Sequence, residues 1–356
     1  GTPGFENLPE EGAASWLPQN VLYSVNDVDR ERLNGQLVLQ WRPVDELTLT
    51  LDYTYAETEL QQRGNDLSFW FIQQASGGVF MDAPVSPLIY NEVANSRDWS
   101  TGTSNAGWKT ELDSIGFNAD WSMSDQLGFA LDYHSSESKS GSASPFGVNS
   151  AMGIPAFYDI DVTADFRQDL PVLSTLTISG LNSADHKFSG AAFRNTLSEM
   201  EIEQLDLSGY FDINDRQSLD FGVLLSETNN RTAFGENQYA DWGGLGTPED
   251  IPDDLFTTTC LPCNFSNISG AGNPDFFPQM FMYDFPTMAA LREQISGSPS
   301  RALDTFTDDL RTKEETTAAY LQWLLNFDMG SMNSNLRLGL RYEKTDVTSS
   351  SLTPVP

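Results

Sequence analysis

The chain has 356 residues, 39% of them apolar and 12% aromatic, and its 51 acidic against 19 basic residues leave a formal net charge of −32. That charge excludes nucleic acid as a partner, because phosphates would be repelled along most of the surface. The aromatic content argues against a disordered acidic chain, and the lack of any run of 18 or more apolar residues excludes a helical membrane span but not one built from strands.

In chain order the opening G-T-P-G-F-E-N-L-P reads as loop with no export signal, and the closing S-L-T-P-V-P reads likewise. The chain is therefore expected to be an excerpt from a longer protein. Between these ends, strands come in pairs. Gly35–Arg42 and Leu47–Thr58 are joined by R-P-V-D-E, and Leu47–Tyr55 alternates strictly between apolar or aromatic residues and Thr or Asp. Period two puts one set of side chains on each face of a strand. Ser114–Trp121 and Leu127–Ser135 follow, turning through S-M-S-D-Q, then the less regular Asp159–Phe166 and Leu173–Gly180. The fourth pair is Ile202–Phe211 with Ser218–Glu227, and the fifth is Thr316–Phe327 with Asn335–Thr345. One short helix is expected, at Thr287–Ile295.

Within pairs the turns are short and rich in Asp, Asn, Pro and Ser; between pairs the connections are long, at about 59–113, 136–158, 181–201 and 228–313. Such loops are uncommon in compact soluble domains. Short turns at one end and long loops at the other, with one apolar and one polar face, predict an all-β chain. The expected fold is an antiparallel transmembrane β-barrel segment of about ten strands in five hairpins, the turns periplasmic and the loops extracellular. A soluble β-sandwich or propeller is the alternative, and it leaves the polar second faces unexplained.

The stretches R-L-N-G-Q-L-V-L-Q-W-R-P-V-D-E-L-T-L-T-L-D-Y-T-Y-A-E, L-D-S-I-G-F-N-A-D-W, S-L-D-F-G-V and N-L-R-L-G-L-R-Y-E-K-T-D resemble barrel hairpins of TonB-dependent outer-membrane receptors. The resemblance implies a 22-stranded barrel around an N-terminal plug, of which this chain would be the middle part. It also implies a Gram-negative outer membrane with its lipid bilayer and lipopolysaccharide, and uptake driven by the TonB–ExbB–ExbD complex through the plug. No TonB box, plug sequence or aromatic terminal strand is recognisable in the chain.

No G-x-S-x-G, H-E-x-x-H or phosphate-binding loop occurs, so an enzyme is not expected. Ligand capture is expected from loop aromatics: Phe69, Trp70, Phe71, Tyr90 and Trp99 in the first long loop, Trp242, Phe276, Phe277 and Tyr283 in the last. Interleaved with Asp, Asn and Gln, they suit stacking on a sugar ring, the alternative being that they pack the loops together. An oligosaccharide is favoured over an anionic ferric siderophore, which wants basic pockets. Gln40, Arg42, Asp52, Asp132, His134, Asp220, Arg337, Arg341 and Glu343 fall on the polar strand faces, where they would line the lumen and contact the plug. Cys260 and Cys263 read as a short structural disulfide. No cofactor is expected; the acidic run Pro248–Asp254 reads as solvated charge, with Ca²⁺ held by its hard oxygens as the alternative. A passive porin remains the rival membrane reading.

Overall fold

The computed structural model describes residues 4–8, 16–72, 75–80, 86–175, 182–330 and 332–352. Its strands are β1 (Phe5–Glu6), β2 (Asn20–Val44), β3 (Leu47–Trp70), β4 (Ala75–Phe80), β5 (Pro87–Ser124), β6 (Leu127–Ser142), β7 (Asn149–Gly153) and β8 (Ala156–Asp165). They continue with β9 (Val172–Thr175), β10 (Ala191–Asn214), β11 (Gln217–Tyr239), β12 (Thr257–Cys260), β13 (Gln279–Met282), β14 (Asp308–Met329) and β15 (Met332–Leu352). Two helices, α1 (Leu261–Asn264) and α2 (Phe285–Ser296), lie in the long connection before β14. The helix expected at Thr287–Ile295 is present as α2, started by the Asp284 carboxylate accepting from Thr287 N at 3.1 Å and stopped at Gly297 with φ +67°.

The long strands β2, β3, β5, β6, β10, β11, β14 and β15 pair antiparallel, each with the next. Tight turns join β2 to β3, β5 to β6, β10 to β11 and β14 to β15. At the second, Ser124 Oγ accepts from Leu127 N at 3.1 Å, and at the last Gly330 supplies a φ of +65° that a branched residue would resist. Among the described residues β2 and β15 each pair on one side only, so the sheet is open.

Two expectations are corrected. The third hairpin does not stand in the row of long strands, because β6 pairs directly with β10 over Leu127–Ser140. Instead β8 pairs with β9 and with the first half of β5, where Val162 and Ala164 are buried; residues 176–180 of the strand expected at Leu173–Gly180 lie outside the described residues. The connections are also shorter than expected: β3 runs on to Trp70, β5 starts at Pro87, β10 at Ala191, β11 ends at Tyr239 and β14 starts at Asp308. Backbone pairing needs no apolar alternation, so a ladder continues through segments that are polar on both faces.

Register carries the apolar side chains across the sheet in rows. Trp41, Leu49, Ala119, Leu131, Leu207, Val223, Ala319 and Tyr342 form one such row, each paired with the next. Leu39, Trp41, Leu51, Trp121, Leu207, Val223, Leu321 and Leu338 on this face are all exposed. The opposite face is polar, and the ring of Tyr320 lies over its partner Gly222, where a Cβ would come within 2.4 Å of the ring.

Moving away from the tight turns, the last apolar residue of the band is Leu33 on β2, then Tyr55, Ile115, Tyr133, Leu205, Leu225, Ala319 and finally Tyr342 on β15. The register row through Leu33 meets β15 at Ser350, so the border drifts by 350 − 342 = 8 residues in seven strand-to-strand steps. With about 3.3 Å per residue and about 4.8 Å between strands, a flat border crosses these strands at a tilt of about 40°. The band covers nine residues on Leu33–Trp41, Leu47–Tyr55 and Leu205–Ile213. That length is about 30 Å along a strand and about 23 Å in projection.

Beyond the band the same face becomes charged. Glu57, Glu111, Lys139, Glu199, Arg231 and Arg311 form one register row. Lys139 and Arg231 share Glu199 at 2.9 and 3.1 Å, and Arg231 and Arg311 share Asp309 at 2.9 Å each. The two guanidiniums hold the Asp309 carboxyl well below the usual carboxylate range. Further out, the face is covered by the connection between β11 and β14, and here lies the buried core. Leu67, Phe69, Trp99 and Phe193 from the strands meet Met280, Phe285, Met288 and Ala289 from that connection.

Candidate functional site

At the end of the sheet away from the tight turns, the polar face holds a cavity of about 560 Å³. Its floor follows from register: Leu22 faces Ser68, Ser68 faces Ser100, Asp66 faces Gly102, Gly102 faces Gly153, and Ala151 faces Ala192. Period two along β3 puts Asp66, Ser68 and Trp70 on this one face. Glycine and alanine at the centre keep the floor low, and Trp70 and Trp242 stand at its margin, 47% and 63% exposed.

Most of the cavity's polar groups are neutral: Asn20, Ser68, Ser100, Ser189 and Gln238. Among the described residues Arg194 is its one cation, and its Nε lies 2.7 Å from a Glu236 carboxylate oxygen in an ion pair that offsets the charge. Among the described residues Asp66 is the one carboxylate, and burial pushes its pKa up from 3.8, against the Ser24 hydrogen bond that lowers it. Two indole faces above a small-residue floor, ringed by neutral donors and acceptors, can hold an uncharged ring by stacking and bond its hydroxyls.

The nine expected ligand aromatics divide sharply. Trp70 and Trp242 are brought together at the cavity, although they stand 172 positions apart in the chain. The other seven are packing residues on the opposite, covered face. Phe69, Tyr90 and Trp99 are fully buried, and Phe71, Phe276 and Tyr283 nearly so. Trp99 stacks on Phe69 and Phe277 at 5.9 and 4.9 Å, Phe71 meets Tyr90 edge-on at 5.2 Å, and Phe276 meets Tyr23 at 5.1 Å. Tyr283 shares a hydrogen bond of 2.6 Å with Thr101, and burial raises its phenol far above the usual range. Leu22, Asp66, Gln238 and Arg194 were not singled out from the sequence. Counting back by twos from Trp70 would have found Ser68 and Asp66.

Gln40, Asp52, Asp132, His134, Asp220, Arg337, Arg341 and Glu343 fall on the polar face by register, while Arg42 lies in the irregularity between Trp41 and Val44, its Nε donating to Asp45 O at 3.1 Å. They are spread from β2 to β15 and form no single site. Their bonds are local: Asn118 donates to Asp132 at 3.2 Å, Gln322 to Asp220 at 2.9 Å and Arg341 to Glu343 at 2.7 Å. Cys260 and Cys263 are joined in a disulfide beside α1. In Pro248–Asp254, Asp250 accepts from Thr247 N at 2.7 Å and Asp253 from the Ser183 hydroxyl at 2.7 Å, so these two carboxylates are engaged in local bonds. Among the described residues no group of three or more His, Cys, Asp or Glu is placed to hold a metal ion.

Comparison with protein-family models finds no match to this chain, and comparison with curated proteins finds none either.

Proposed function

We propose that the chain forms part of the wall of a TonB-dependent receptor in the outer membrane of a Gram-negative bacterium, and that it captures a scarce nutrient without chemically altering it. The observation that carries this reading is the exposed apolar band. It runs unbroken over eight strands, and its border implies a tilt of about 40°, within the range of about 35–45° for membrane barrels. An apolar surface that wide would make a water-soluble protein aggregate. The charged row beyond the border suits the level of lipopolysaccharide headgroups, where ions stay hydrated.

In this reading the polar face lines the lumen, and the cavity between Trp70 and Trp242 opens into it. A neutral oligosaccharide fits the cavity better than an anionic ferric siderophore, since Arg194 is already neutralised by Glu236. Capture would be followed by TonB–ExbB–ExbD-driven release through the plug. No cofactor is invoked, and calcium at Pro248–Asp254 is not proposed.

The test is uptake of a labelled maltodextrin by cells making the intact protein, with and without TonB. Uptake that stops without TonB supports the receptor, and uptake that persists indicates a passive porin. Release of the protein from membranes by a detergent-free alkaline wash would sink both readings in favour of a secreted β-sandwich.

A further inference from the structure

The two indoles of the cavity are held in different ways. Trp70 belongs to the ladder, in register with Asn20, but Trp242 lies beyond the last residue of β11, Tyr239. Its ring rests against Gly190, where a Cβ would come within 2.1 Å of Trp242 Cζ3. The residue before it is tied to the covered face. The Asp241 carboxylate accepts from Arg292 Nη2 at 2.8 Å.

Arg292 is a wholly buried residue of α2. Its guanidinium lies 4.1 Å from the centre of the Tyr239 ring, and its Nη1 donates to Ser300 Oγ at 3.4 Å. A buried guanidinium fixed by a ring, a hydroxyl and a carboxylate has little freedom, and losing its one carboxylate partner is costly. The chain then turns tightly, Gly244 N donating to Asp241 O at 2.9 Å and Leu245 N to Phe188 O at 2.7 Å. Asp241 on one face and Trp242 on the other are therefore set by a single short segment.

We infer that Arg292 is a positioning residue for the cavity: through Asp241 it holds Trp242 against Gly190 and so fixes one wall of the site from the opposite face of the sheet. The inference rests on the reading of the cavity as the ligand site, but the holding of Trp242 can be measured without a ligand.

The experiment is acrylamide quenching of the whole chain in detergent, each background paired with its Trp242→Phe counterpart so that the difference reports Trp242 alone. Arg292→Met is expected to raise the Trp242 quenching constant by up to about half, the most that a residue already 63% exposed can gain, and Asp241→Asn to do the same. The double variant should quench no more than either single one, because both act on one contact. Arg292→Met removes the buried charge itself, and so covers the case in which Asp241→Asn, which leaves that charge without its carboxylate, fails to fold; its quenching is read in the same way. Gly190→Ala should free the indole even with the ion pair intact. Quenching unchanged in Asp241→Asn, or additive in the double variant, overturns the inference. Maltohexaose added to the unaltered chain reports separately on the glycan reading: protection of Trp242 supports it, and no protection removes it without touching the quenching result.

Discussion

At the level of single residues, the same residue type does opposite jobs according to the face it occupies. Trp99 has no exposed surface and Trp242 is 63% exposed. Trp99→Phe should lower stability by about 1–3 kcal/mol through lost packing and leave ligand affinity unchanged. Trp70→Ala or Trp242→Ala should weaken oligosaccharide binding by about 2 kcal/mol, roughly thirtyfold in Kd, at unchanged melting temperature, as calorimetry would read. His186 gives a pH-dependent case. It is fully buried between Phe256 and Phe281, and burial pushes its pKa below the usual 6.5, against the raising effects of the Asn182 and Ser183 backbone and Asp185. A depressed base binds fewer protons folded than unfolded. Its contribution is therefore complete above pH 6.5 and falls away as pH drops through the folded pKa. Thermal unfolding scans from pH 7.5 to 5 should show this decline, and His186→Phe should flatten it.

At the level of elements, the tight turns and strict alternation made four of the hairpins legible in the sequence, because a strand with one apolar and one polar face must alternate. The upper halves of β3, β5, β10 and β11 were not legible. There neither face meets a uniform solvent, and stretches such as Glu57–Asp66 carry polar residues at every position but Leu60 and Gly64. The burial of six of the expected loop aromatics was hidden for a related reason. Phe69 and Trp99 share a face with Leu51 and Ile115, but only tertiary packing tells whether that face is covered at a given height. The pairing of β6 with β10 across an intervening hairpin likewise leaves no local mark. Within the sheet, the fit of Tyr320 over Gly222 links two strands on the polar face. Gly222→Val should cost about 1–3 kcal/mol, and combining it with Tyr320→Ala should recover part of that loss in a denaturation series.

For the whole molecule, the two faces of one strand give a paired test of the membrane reading. Leu207 and Asp206 are neighbours on β10 and point to opposite sides. Leu207 is 45% exposed, so replacing it disturbs little packing. In lipid, Leu207→Arg should destabilise the folded protein by about 2–4 kcal/mol, while Asp206→Arg should change stability far less. Folded yield after refolding into vesicles checks both, and equal tolerance of the two arginines would count against a lipid-facing band.

The slant of the band's border also says something about the membrane this chain would choose. A projected height of about 23 Å is several ångströms less than the roughly 30 Å of an average hydrocarbon layer. In the membrane reading, a stiff ladder could not stretch to meet a thicker layer, so the lipids would have to thin around it at an energetic cost that grows with each ångström of mismatch. Bilayers of short-chain lipids should therefore accept the protein faster and hold it more firmly than those of long-chain lipids. The same preference would keep it out of thick membranes, and on the proposed reading the geometry of eight strands would sort the protein by acyl-chain length.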